Sequence, residues 1–362
     1  MRPRFHNLVV GLVALVWSVA AVAADAPAAG LPPVPVEIQL VKSKTKLKLV
    51  FLGRDRDGNV ICRQPTAEKT TTVLRPEAIA RIRFSFTYDQ LLVTKLRRTG
   101  RWTDAATILA KTVYPTLPYL DVAPNNGVTL ALRAGNYLMR AGDIKTAFAP
   151  TPEGRAAATV EFNAALQLLR AAARAEWSDR AAEAQMQACI CLVFLGKVDE
   201  AGEVFGEIAE PDVDGDEYGV YQLARAYHAA AKGDWQEAIE ATTHSSDFET
   251  KEIDTFPTAL LLAGQCYEQL EEWYRARDVY YEVAKLFADT PWGVVARDRL
   301  KGILDQGHTA QDEAVAARNV FFGLEEDINT KARDLLGLDE QGKPKDPPKT
   351  GAEAPKPAAV NN

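Results

Sequence analysis

Two periodicities divide the chain. Between Val36 and Phe86 apolar and polar residues alternate: Val36-Glu37-Ile38-Gln39-Leu40, then Lys46 to Leu52, Val60-Ile61-Cys62, the β-branched run Thr70 to Leu74, and Ile79 to Phe86. Alternation marks strands with one buried face, and Asp57-Gly58 between the second and third runs signals a tight hairpin. Leu74-Arg75-Pro76-Glu77-Ala78-Ile79 reads as a single helical turn before the last strand. Five short strands in so little chain are expected to curl into a small barrel, because exposed edges invite aggregation.

From Tyr88 onward the apolar positions follow a helical period. Within that region Gly-x-apolar-x-x-Ala recurs as Gly100-Trp102-Ala105, Gly142-Ile144-Ala147, Gly196-Val198-Ala201 and Gly233-Trp235-Ala238, and Glu271-Trp273-Ala276 repeats it without the Gly. The alanines are 42, 54, 37 and 38 residues apart. Each copy follows one helical pattern and opens another. The Gly is expected to end the first helix in a left-handed turn. The large residue two positions on plugs the turn, so Trp102, Trp235 and Trp273 read as core. The Ala lets the second helix lie close. Small residues on the first helices, namely Gly135, Cys189, Ala226 and Gly264, let the paired backbones approach. Leu109, Phe205 and Tyr280 are expected to pack into the next pair.

This helix-turn-helix cadence resembles the tetratricopeptide repeat family, whose usual period is about 34 residues. The resemblance covers roughly residues 87–305. It implies a mainly α fold, an α-solenoid of helix pairs, preceded here by a small β-barrel-like module similar in layout to SH3-like or Sm-like barrels. The last unit, with Tyr280, Val283, Phe287, Asp289-Thr290-Pro291 and Ala296, is similar to repeats of bacterial envelope proteins, including the Tol-Pal coordinator and the lipoprotein of the outer-membrane barrel-assembly machine. Thr290 should cap a closing helix with Pro291 at its first position. Ala149-Pro150-Thr151-Pro152 truncates a helix, and Arg155 to Arg174 reads as an extra or irregular one.

The expected organisation is a signal peptide at 1–24, a Pro/Ala linker at 25–35, the β module at 36–86 and the solenoid at 87–305. A helical extension follows at 306–338, then a disordered tail at 339–362. Arg2 and Arg4, the apolar run Leu8 to Val22 and the Ala21-Val22-Ala23-Ala24 exit describe a secretory leader. The run is short for a spanning helix. The expected address is outside the inner membrane, in the periplasm, with no integral membrane segment after cleavage.

Charge refines this picture. The chain carries −7 overall, yet residues 34–86 hold 11 Lys+Arg against 5 Asp+Glu. A basic module on an acidic helical body suggests contact between the two or with an anionic surface. The cysteines Cys62, Cys189, Cys191 and Cys266 show no C-x-x-C spacing. Cys189 and Cys191 point to different helix faces, and core packing is the favoured reading over a disulfide. The segments Asp55 to Asn59 and Asp212 to Glu217 are acidic but lack the Gly and Glu of a calcium loop, and read as a hairpin turn and an inter-helix loop.

No nucleophile, phosphate or metal motif is present, and His228, His244 and His308 have no ligand spacing. No enzymatic activity, cofactor, metal or nucleic-acid partner is expected. The resemblance places a partner-binding groove on the inner face of the first helices: Asn136, Met139 and Arg140; Met186, Ile190 and Val193; Leu223 and Tyr227; Leu261, Gln265 and Glu268. The leading expectation is an exported adaptor or scaffold for another envelope protein or peptide. One alternative is binding of an anionic envelope polymer such as peptidoglycan or lipopolysaccharide through the β module; a second is an envelope hydrolase.

Overall fold

The computed structural model describes residues 33–43, 45–67, 70–149, 151–248, 255–308 and 328–345. The expected leader, most of the linker, part of the helical extension and most of the tail lie outside these residues. The chain is mainly helical, with twelve helices and one five-stranded antiparallel sheet at its N-terminal end among the described residues. It divides into two compact units after Ala224. No described helix is long and apolar enough to cross a membrane.

The strands are β1 (Val34–Leu40), β2 (Lys46–Arg54), β3 (Val60–Arg63), β4 (Thr71–Leu74) and β5 (Ile79–Phe84), in the order β4-β3-β2-β1-β5. Alternation works as expected: Val34, Val36, Ile38 and Leu40 of β1 are buried, and the residues between them are not. The Asp-Gly hairpin also forms. Gly58 takes φ 81°, and Asp55 accepts bonds from the backbone N–H groups of Asp57 and Asn59 and from the Asn59 carboxamide. The Asn59 side chain is the main reason the Asp55 carboxyl titrates below its ordinary range. A short 3-10 turn, Pro76–Ala78, precedes β5.

The buried face of the sheet rests on the segment that follows the first helix pair. Phe51 meets Tyr119 with ring centroids 5.0 Å apart. The Ile82 N–H donates to the Pro124 carbonyl at 2.9 Å. The Asn126 side chain accepts from the Phe84 N–H and donates to the Phe84 carbonyl, closing the β5 edge as another strand would. Arg54 reaches both carboxylate oxygens of Asp121 at 2.9 Å.

The first unit continues with α1 (Gln90–Arg98), α2 (Trp102–Val113), α3 (Gly127–Lys145), α4 (Pro152–Ala173), α5 (Ala181–Phe194) and α6 (Val198–Gly206). Consecutive helices pack on one another from α1 through α6. The division falls within α7 (Tyr218–Lys232). The second unit contains α8 (Trp235–Phe248), α9 (Thr255–Gln269), α10 (Trp273–Leu286), α11 (Pro291–Asp305) and α12 (Ile328–Leu335). There α8, α9, α10 and α11 pack in sequence, and α12 returns onto α10. Thr290 accepts from the Gly293 N–H, capping α11 with Pro291 at its start. Thr151 caps α4 in the same way through Gly154.

The turn cadence holds at four of its five positions. Gly100, Gly196 and Gly233 have φ of 71°, 76° and 86°, and Glu271 adopts the same left-handed turn at 60° without a glycine. The following alanines, Ala105, Ala201, Ala238 and Ala276, are fully buried. The second copy departs from expectation. Gly142 lies inside α3, and the left-handed turn falls instead on Ala147 and Phe148 (φ 50° and 58°). Gly142 makes room for a neighbour, since a Cβ there would meet the Phe162 ring at 2.7 Å. The helix instead runs on to Lys145, with Gly142 seated against Phe162 of α4. Trp102 is core as expected, whereas Trp235 and Trp273 are half-buried, and Trp273 stacks on His308 at 3.9 Å. All four cysteines are free and buried. Burial pushes the thiols of Cys62, Cys189 and Cys266 up to about 12.

Candidate functional site

The expected groove residues fall in both units and are taken unit by unit. In the first, Met139, Met186, Ile190, Val193 and Leu223 are each at most 2% exposed, and Arg140 is 7% exposed. In the second, Tyr227 and Leu261 are equally closed. The apolar lining expected of a groove is thus interior packing. The reason is visible in α5, where every residue from Met186 to Phe194 is buried: a helix apolar on all sides is a core helix. Asn136, Gln265 and Glu268 are half-buried. Glu268 is already engaged, accepting the Tyr280 hydroxyl at 2.5 Å and lying 3.5 Å from Arg299. That contact, with burial as the larger cause, holds the Tyr280 phenol well above its ordinary range.

Arg140 serves a pair within its own helix. Its guanidinium donates to Asp143 at 3.0 Å, and both side chains are buried. The other Asp143 oxygen has no hydrogen-bond partner among the described residues. Burial raises the Asp143 carboxyl to about 6, although Arg140 pulls it down. Nearby in sequence, Lys145 of α3 pairs with Glu161 of α4 at 2.5 Å. The i, i+3 spacing of Arg140 and Asp143 is the signal for this pair in the sequence, and the match of Arg140 to a groove position masks it.

A pH dependence follows. Native Asp143 holds its proton more tightly than the unfolded chain does, so its effect on stability is most favourable below the unfolded value of 3.8. That advantage is lost as pH rises through about 6. The loss is on the order of 3 kcal/mol. Asp143→Asn should flatten the fall in unfolding free energy between acid and neutral pH, measured by urea titration across that range. An identical slope in both proteins would show that Asp143 does not titrate there.

The loop from Asp212 to Glu217 links α6 to α7, held by the Gly215 N–H donating to the Asp212 carbonyl at 2.8 Å. Partial burial, then the negative charge of Glu183, raises the Glu217 carboxyl. No group of three or more His, Cys, Asp or Glu among the described residues is arranged to hold a metal ion.

The outward face of the sheet becomes specific only with the strand pairing, since the sequence shows its charge without its register. That register sets Arg83 and Lys48 opposite Glu37 on its two sides, and Arg81 and Lys46 opposite Gln39. All four cations are exposed, and Lys46 pairs with Glu37 at 3.1 Å.

No protein-family model matches the chain, and no curated protein matches it.

Proposed function

We propose that this chain is a non-enzymatic adaptor of the bacterial cell envelope. A leader exports it to the periplasm, a small SH3/Sm-like β module precedes a solenoid of tetratricopeptide-like helix pairs, and the pairs hold another envelope protein or peptide. The observation that carries this reading is the repeated left-handed turn followed five residues later by a fully buried alanine, at Gly100/Ala105, Gly196/Ala201, Gly233/Ala238 and Glu271/Ala276. One local solution used four times is how a repeat array is built, and such arrays bind through their surfaces. Since the apolar groove candidates are interior, a partner is met by polar and half-buried positions such as Asn136 in the first unit and Gln265 in the second.

The test is site-specific photo-crosslinking in the native host, with the reactive side chain at Asn136 or, separately, at Gln265. The expected result is one protein captured at high yield, which then binds the purified chain at a single stoichiometry. Turnover of an envelope substrate that one carboxylate substitution abolishes would replace the adaptor reading with the hydrolase one.

A further inference from the structure

The basic character of the β module has a definite geometry. β1 runs through the centre of one half of the sheet, with β5 on one side and β2 on the other. Its outward positions, Glu37 and Gln39, are flanked by Arg83 and Arg81 on β5 and by Lys48 and Lys46 on β2. Two cationic rows therefore run about 10 Å apart, with charges about 7 Å apart along each row. Between them lies a strip offering a carboxylate and a carboxamide. The opposite face is buried through Ile38, Ile82 and Phe84, so these six side chains share the outward side.

We infer that the outward face of β5-β1-β2 binds an extended acidic polysaccharide, its carboxylates on the two cationic rows and its hydroxyls on Glu37 and Gln39. The inference deepens the polymer-binding alternative and does not rest on the adaptor reading. Charge complementarity is its first support: four exposed cations stand against one carboxylate, itself held by Lys46. The arrangement is the second. The cations are spread out and separate, without converging on one point, which suits repeated charges on a polymer better than a single small anion. The outward positions carry no aromatic ring on which a base would stack. Glu37 would repel a uniformly charged surface, but it and Gln39 are useful acceptors for sugar hydroxyls.

The test uses the full chain and polygalacturonate, followed by titration calorimetry, with dextran as the neutral control. Binding is expected to polygalacturonate and not to dextran. It should weaken by about tenfold or more as salt rises from about 0.02 to about 0.3 M. The Lys46→Gln, Lys48→Gln, Arg81→Gln, Arg83→Gln quadruple variant should lose at least about tenfold in affinity. Its circular dichroism should be unchanged, since all four side chains are exposed. Undiminished binding by the variant would overturn the inference, as would no binding to polygalacturonate. So would tighter binding, per unit charge, to phosphatidylglycerol vesicles or duplex DNA, or salt-sensitive self-association through the same four residues. Loss of polymer binding leaves the crosslinked partner unaffected, so the two readings fail separately.

Discussion

Phe162→Ala lowers the unfolding free energy of the first unit by about 3–5 kcal/mol. Phe162 is fully buried on α4. Its ring stacks on Phe194 of α5 with centroids 4.6 Å apart and planes 13° apart. Its far edge fills the notch that Gly142 leaves in α3, where a Cβ would sit 2.7 Å from the ring. One side chain thus joins three helices, and its removal leaves a cavity that none of them can close by a side-chain rotation alone. Urea denaturation followed by far-ultraviolet circular dichroism measures the loss. Phe162→Leu keeps most of the volume and should cost less than half as much. Equal costs for the two variants would contradict this, because retained volume would then contribute nothing and the ring's stacking and shape would carry the whole seam.

Tyr280→Ala has an effect of similar size in the second unit, about 3–5 kcal/mol. Tyr280 of α10 is fully buried, lies over Gly264 of α9, and donates its hydroxyl to Glu268 of α9 at 2.5 Å. Truncation removes the ring from the α9–α10 seam and strips Glu268 of its closest donor. Tyr280→Phe separates the two effects: it keeps the ring, and should cost about 1–3 kcal/mol through the lost bond to a charged acceptor. Hydrogen exchange of amides in α9 and α10 would register both, with Tyr280→Ala exposing more of them.

These two seams also show how far the sequence can be read. The strands are legible because alternation in Val36 to Leu40 and Ile79 to Phe84 reports a one-sided burial that the sheet then uses. The turn at Glu271 is legible only by analogy with the glycines before it, because no local property of Glu favours a positive φ. Gly142 misleads for a tertiary reason. A glycine that ends a helix and a glycine that admits a neighbouring ring look alike in one dimension, and Phe162 decides between them. The groove residues mislead in a similar way. Met186, Ile190 and Val193 lie on one face of α5, but helices cover its other faces as well, and the sequence does not say how many neighbours a helix has. The closure of β5 by Asn126 pairs residues 42 positions apart, beyond the reach of any periodicity.

The central physical claim is that the α3–α4 and α9–α10 seams close because a glycine on one helix accepts a ring from the next. Gly264→Ala, made in the native background and in Tyr280→Leu, measures it most directly. In a helix interior, alanine is ordinarily favoured over glycine by about 1 kcal/mol. A Cβ at Gly264 would stand 2.5 Å from Tyr280 Cε1. The substitution should therefore destabilise the native protein by about 1–3 kcal/mol and be neutral or stabilising once the ring is gone. The same change in stability in both backgrounds would contradict the claim.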